Sequence, residues 1–413
     1  MSQITGTKID IAETRDATFN DYAFTDTWPL AANGQRKAVY LKSPGKAGGA
    51  IVTAFYTKPA KITVAISQTG GKSWKVKHDI FGSGADPGMT NQLNPALALS
   101  SSGRVHLAFR AFGPATAPYG SLWHAHSPDG RAWSAAVQLP PVGSSYHGCP
   151  AIAAGPKKTL FIAFDYAGGL YLLRSTDDGE TWAPPLPLSQ PGGGNTRPSI
   201  TVDAAGTVYI AFTQAYHLYC AKGEAYGTVW ESRKVLGSAR LGANYASIAL
   251  DTADKPVIAC YAAADQQGPE PYQGIHVMRQ AGLWSETWSE QIIDSTYMPE
   301  EEIHTPSLAV SKDGVFQVAY IRSQAVAGLP WPKWPRDIWF RQAQTWNDWA
   351  PPQRITQAVD RAKNPQVWPN LYWQSQQPAK DGCLVLWDGK NETTPQGALP
   401  WFARSFVSDT FLI

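Results

Sequence analysis

One short pattern returns six times along this chain of 413 residues and limits what it can fold into. It begins with Pro or Ala, then a small residue and an aliphatic one. The copies are Pro95-Ala-Leu-Ala-Leu, Pro150-Ala-Ile-Ala-Ala, Pro198-Ser-Ile-Thr-Val, Ala246-Ser-Ile-Ala-Leu, Pro306-Ser-Leu-Ala-Val and a looser Pro369-Asn-Leu-Tyr-Trp, offset by 55, 48, 48, 60 and 63 residues. Self-similarity at such a period is the mark of a repeat architecture, in which one supersecondary unit is stacked many times.

Each copy is followed by a second apolar run ending in a small residue and an aromatic: Ala108-Phe109, Ala163-Phe164, Ala211-Phe212, Cys260-Tyr261 and Ala319-Tyr320, with Leu386-Trp387 weaker. An earlier pair, Ala54-Phe55, belongs to a unit starting near Ala38, so the second runs count seven units. A third run then enters a turn closed by Trp. The full form is Ser175-Thr-Asp177-Asp-Gly179-Glu-Thr181-Trp182; Ser127 to Trp133 is one residue shorter, and Ser67 to Trp74 has Thr69 in place of Asp. Degraded copies end at Trp230, Trp288 and Trp349. In such a turn the Asp side chain takes backbone N–H groups, Gly allows positive φ, and Trp pins the loop to its own unit.

The turn string resembles the Asp-box, or BNR repeat, of sialidase-like proteins. That resemblance and the strand repeat imply an all-β fold: a seven-bladed β-propeller of four-stranded antiparallel blades, with six blades and an irregular end as the alternative. One domain over 1–413 is expected, with blades near 37–82, 94–140, 149–189, 197–236, 245–294, 305–356 and 368–406. The last blade lacks its own outer strand, so the N-terminal segment 4–11 is expected to close it and remove exposed edges. Composition agrees, with 36 Gly, 32 Pro, 17 Trp and 17 Tyr and only 16% charged residues.

Composition also excludes some partners. A net charge of +2 with scattered Lys and Arg gives no polyanion surface, so nucleic acid is not expected. No apolar stretch is long enough to span a bilayer, so no membrane partner is expected either. The first residues lack a basic and then apolar leader. Compartment therefore stays open between cytoplasmic and secreted with the leader removed. Cys149, Cys220, Cys260 and Cys383 are far apart, which suits small buried side chains rather than a metal site; no metal or cofactor is expected.

In this fold the Trp-closed turns lie on one face, which makes Asp129 and Asp177 scaffolding. Chemistry is expected on the other face, just before each first strand and just after each second strand. The first set includes Asn94, Tyr146, His147, Arg197, Tyr245, His304 and Trp368. The second includes Arg110, Asp165, Arg322 and Asp388, with Trp331 and Trp334 on a long neighbouring loop. His124 and His126, on a third strand, read as structural, and Glu302 stands close enough in sequence to orient His304.

These mouth residues differ from unit to unit, whereas a multivalent lectin repeats one pocket. One asymmetric central site is therefore expected. The Arg-Ile-Pro string that begins the sialidase arginine triad is absent, although Arg36 stands near that place. The residue types are more similar to those of BNR-type polysaccharide lyases and rhamnosidases that act on uronic-acid glycans. That similarity implies acid/base or carboxylate-binding work for His147, Tyr146, Arg197, Tyr245 and His304. It implies substrate contacts for Asn94, Arg110, Asp165, Arg322, Trp331, Trp334, Trp368 and Asp388. The expected partner is an oligo- or polysaccharide, bound or cleaved by elimination or hydrolysis, with a non-catalytic lectin-like propeller as the rival; the oligomeric state is left open.

Overall fold

The computed structural model describes residues 6–8, 36–42, 49–57, 61–69, 74–77, 80–81, 90–112, 120–143, 148–189, 197–236, 241–264, 272–280, 282–284, 288–297, 301–324, 336–354, 370–373, 382–390 and 398–406. Its strands pair antiparallel in seven four-stranded sheets. Six of these run in chain order as complete blades, the count of the alternative reading. Their inner strands are Ala38–Leu41, Thr90–Leu99, Ala151–Ala154, Ser199–Val202, Leu241–Leu250 and Glu301–Val310. The seventh sheet combines Asn370–Trp373, Gly382–Lys390 and Ala398–Phe406 with Gly6–Lys8 from the other chain end, where Gly6 stands opposite Ala403 and Lys8 opposite Trp401. The closing N-terminal strand expected over 4–11 thus covers three described residues.

The repeated sequence pattern sits in one register. Ala96, Ala151, Ser199, Ser247 and Ser307 face Ala108, Ala163, Ala211, Ala259 and Ala319, and Ala38 faces Thr53. Small residues suit this crowded inner ring, and two of them cross-link it. The Ile248 N–H donates to Ser199 Oγ at 3.1 Å and the Leu308 N–H to Ser247 Oγ at 3.0 Å, each from the next blade. Among the described residues, five apolar clusters lie between consecutive blades, built from the second-strand aromatics and aliphatics, such as Phe109, Phe161, Phe212 and Tyr320. Apolar burial between blades, not within them, holds the stack together.

The Trp-closed turns behave as their chemistry predicts. Asp129 Oδ1 accepts the N–H groups of Arg131 and Ala132 at 2.8 and 2.9 Å. Asp177 accepts the N–H and hydroxyl of Thr181 at 2.9 and 2.5 Å. A second contact recurs even where Asp is lost: the Trp indole donates to the carbonyl three residues earlier at Trp133, Trp230 and Trp349.

Beside the Asp177 turn lies a buried histidine group. His106 Nδ1 and His124 Nε2 are 3.1 Å apart, and His126 approaches both rings. Asp178 Oδ1 stands 3.3 Å from His106 Nε2, and Asp178 Oδ2 accepts the Ser102 hydroxyl at 2.5 Å. Arg104 flanks Asp178 and bonds Glu180. The group joins the second blade to the third, as the structural reading of His124 and His126 requires.

Burial holds His106 down at about 4, below its ordinary 6.5, against the pull of Asp178. His124 is pushed well below the ordinary range by burial and by its two histidine neighbours. The unfolded chain therefore binds a proton at His106 that the folded chain refuses between pH 6.5 and 4. Stability at this group is complete above that window and falls as pH drops through it, by about 3 kcal/mol at most. Urea unfolding across the window should show this loss, and His106→Leu should flatten it. An unchanged slope of stability with pH in the variant would contradict this account.

Candidate functional site

On the opposite face, the residue two positions before the register-matched small residue forms a ring. Its members are Arg36, Asn94, Cys149, Arg197, Tyr245 and Thr305. Four of them adopt left-handed backbone: Asn94 (φ 53), Arg197 (φ 37), Tyr245 (φ 57) and Thr305 (φ 51). Register breaks bracket three of these, between Leu93 and Ala96, Asn244 and Ser247, and His304 and Ser307. Positive φ is costly for Arg, Tyr and Thr, and costlier before proline. A bulge of this kind re-aims a side chain.

Three expected residues come together there, from three consecutive blades. The Arg197 guanidinium lies over the Tyr245 ring at 4.7 Å, and the Tyr245 and His304 rings are 6.1 Å apart. His304 Nδ1 is 2.5 Å from the Thr305 hydroxyl, and its Nε2 is 3.3 Å from Glu302 Oε1. Glu302 is thus in reach of His304, as its position in the sequence suggests.

Arg110 and Asp165 occupy matching positions on neighbouring second strands, two residues after Ala108 and Ala163. Arg110 is buried, while Asp165 packs on Gly148, where an added Cβ would fall 1.8 Å from Oδ1. Burial pushes the Asp165 carboxyl upward; the N–H groups of Asp165 and Cys149 and the charges of Arg197 and Arg110 only partly offset it. Burial likewise raises the Cys149 thiol, with Asp165 adding to the rise and Lys37, Arg110 and Arg197 opposing it.

Lys37, Arg110, Asp165 and Arg197 thus all bear electrostatically on Cys149, and the two arginines also on Asp165. Lys37 escaped the sequence reading. It is wholly buried and donates to the Pro95 carbonyl at 2.6 Å. Its one signal was a lysine standing where four other blades have proline.

Arg322 does not join this group. It stands three residues after Ala319 rather than two, so strand alternation turns it to the face of Tyr320. There its Nη1 bonds both Asp294 oxygens at 3.1 and 3.0 Å, and its Nε and Nη2 bond Glu301 Oε2 at 3.1 and 2.5 Å. The Tyr320 hydroxyl donates to Asp294 at 2.6 Å. Burial works against the Arg322 charge, but Asp294 and Glu301 more than compensate and raise its pKa. This arginine ties the fifth blade to the sixth through Asp294 and Glu301. Tyr146, His147, Trp331, Trp334 and Trp368 lie outside the described residues, as does the side chain of Asp388, whose backbone pairs with Pro400.

No family model matches this chain, and neither does any curated protein. Solved structures do. The chain is similar to a polysaccharide lyase at TM-score 0.56 and 10% identity, over 98% of each chain. It is similar to a protein of unknown function from Dyadobacter fermentans at TM-score 0.50 and 15% identity, over 76% of this chain and 94% of that one. A Hadza microbial sialidase aligns at TM-score 0.47 and 14% identity, over 88% of this chain and 74% of that one. At such identities the likeness speaks for the fold alone. The chain is an all-β propeller of four-stranded antiparallel blades.

Proposed function

We propose that this chain is a carbohydrate-active propeller with one central site that takes an acidic glycan, uronic or sialic, and cleaves it by elimination or hydrolysis. The single observation behind this reading is the ring itself. Its six register-matched positions hold Arg, Asn, Cys, Arg, Tyr and Thr, so no single pocket recurs from blade to blade, and the charges of Lys37, Arg110 and Arg197 all bear on Cys149. Such a mouth suits one carboxylated ligand held in one orientation. The same reading takes the whole chain as one domain of the Asp-box type, with the seventh sheet as a full blade.

For a uronate, Arg197 and Arg36 would neutralise the carboxylate, which acidifies the C5 hydrogen. His304 would accept that proton while the C4–O bond breaks and a C4–C5 double bond forms. Tyr245, with Arg197 over its ring, would protonate the leaving oxygen. Tyr146 and His147, from the loop before the third inner strand, are proposed as further members of the site. Asn94, Arg110, Asp165, Trp331, Trp334, Trp368 and Asp388 are proposed to contact sugar.

One observation favours the rival, a glycan-binding protein without catalysis. Both ring nitrogens of His304 already face partners, Thr305 and Glu302. Incubation with alginate, pectate, hyaluronan and sialyllactose separates the readings. An enzyme yields new ultraviolet absorbance from the double bond, or new reducing ends or free sialic acid. Binding on a glycan array with neither product would leave only the lectin reading.

A further inference from the structure

Blade four ends in two Ala-Tyr turns, one on each face of the disc, and they differ in a telling way. Both have positive φ at the Ala and at the Tyr: Ala215 and Tyr216, a two-residue hairpin loop, at 48 and 63, and Ala225 and Tyr226, in the longer turn 225–228, at 48 and 58. Such loops favour Gly or Asn, and a bulky aromatic there is strained. The matching loop on blade three, Ala167-Gly168, uses glycine.

Tyr226, on the face of the Trp-closed turns, has packing to justify the strain. Gly206 makes room for its ring, Lys157 sits over it at 5.2 Å, and its carbonyl accepts from Arg174 at 3.1 Å. Tyr216, on the mouth face, has none for its ring. It is 77% exposed, the most exposed large hydrophobic residue among those described, and among the described residues no ring or cation packs on it. Yet its backbone is fixed, because the Ala243 N–H donates to the Tyr216 carbonyl at 2.7 Å. Its ring edge stands near Gly242, 3.9 Å from a Cβ built there. Gly242 lies three residues before Tyr245 on the same strand, a separation of about 10 Å along an extended chain.

We infer that Tyr216 is a stacking platform for a pyranose ring of the glycan chain whose acidic residue occupies the Arg197–Tyr245–His304 site. This rests on the proposed function and extends it from a single sugar to an oligosaccharide running outward over blade four. Tyrosine fits that role, since its rigid amphipathic face covers the C–H side of a sugar with little rotamer entropy to lose.

The test titrates the wild-type chain, Tyr216→Ala and Tyr216→Phe with size-graded oligosaccharides, di- to octasaccharide, of whichever polysaccharide named above the wild type binds. Tyr216→Ala should weaken the longer oligosaccharides about tenfold and leave the disaccharide unchanged. Tyr216→Phe should bind all lengths as the wild type does, because stacking needs the ring and not the hydroxyl. Equal affinities for Tyr216→Ala and wild type at every length would overturn the platform and spare the central site. Equal losses at every length, or loss in Tyr216→Phe as large as in Tyr216→Ala, would overturn it too. Failure of the wild type to bind any acidic glycan would remove the central site and the platform together.

Discussion

Arg197→Ala should lower the turnover of an acidic glycan by about two to three orders of magnitude, the usual result of removing one preorganised charge from a developing anion. Three features of this residue set that size. Its guanidinium lies over Tyr245, so the variant loses both a carboxylate partner and the cation that packs on that ring. It adopts φ 37 before Pro198, a conformation that alanine tolerates no better, so the backbone gains nothing from the change. And its charge steadies Asp165, which burial already pushes toward the neutral form. Thermal unfolding should stay close to wild type, because Arg197 is not wholly buried and sits outside the inter-blade clusters. Steady-state kinetics with circular dichroism melts checks both halves. Retained turnover would remove Arg197 from the site; lost turnover with a collapsed melt would make it structural.

Asp294→Ala should be the most damaging single change to stability among the charged residues discussed here, at about 3 kcal/mol. Asp294 receives both bonds from Arg322 Nη1 and the Tyr320 hydroxyl, and its side chain is only 9% exposed. Burial and the facing carboxylate hold the Tyr320 pKa above its ordinary value, so its hydroxyl stays a donor that needs an acceptor. The alanine variant strands that donor and leaves half of the guanidinium without a partner. Denaturant unfolding should show a lower midpoint at an unchanged slope. The double variant Asp294→Leu with Arg322→Met should recover much of the loss, since an apolar pair avoids the desolvation cost that the ion pair carries. A loss below about 0.5 kcal/mol in the single variant would mean that the cluster is ornamental.

How far the sequence carries depends on how local the physics is. Turn chemistry is local, so Asp129, Asp177 and Trp133 announce their hydrogen bonds in the string itself. The inner-strand register was equally plain, because small residues recur before an aliphatic at every crowded position. The mouth was harder. Its residue types were legible, but a bulge shifts which side chain enters the ring, and bulges depend on the neighbouring strand. Thr305, not His304, holds the ring position of the sixth blade, while His304 reaches Tyr245 from one residue earlier. Arg322 stands one residue later on its strand than Arg110 and Asp165 do on theirs, and in a strand one residue means the opposite face. Lys37 was missed because a buried lysine looks like any surface lysine in sequence. The strain at Tyr216 is likewise invisible until φ is known.

The claim most exposed to test is that one asymmetric acidic-glycan site serves the whole disc. Calorimetric titration of the wild-type chain with a uronate-containing octasaccharide should give one site per chain, weakened steeply by salt, as a carboxylate held by Arg36 and Arg197 requires. Several equivalent sites per chain, or salt-independent binding, would contradict it.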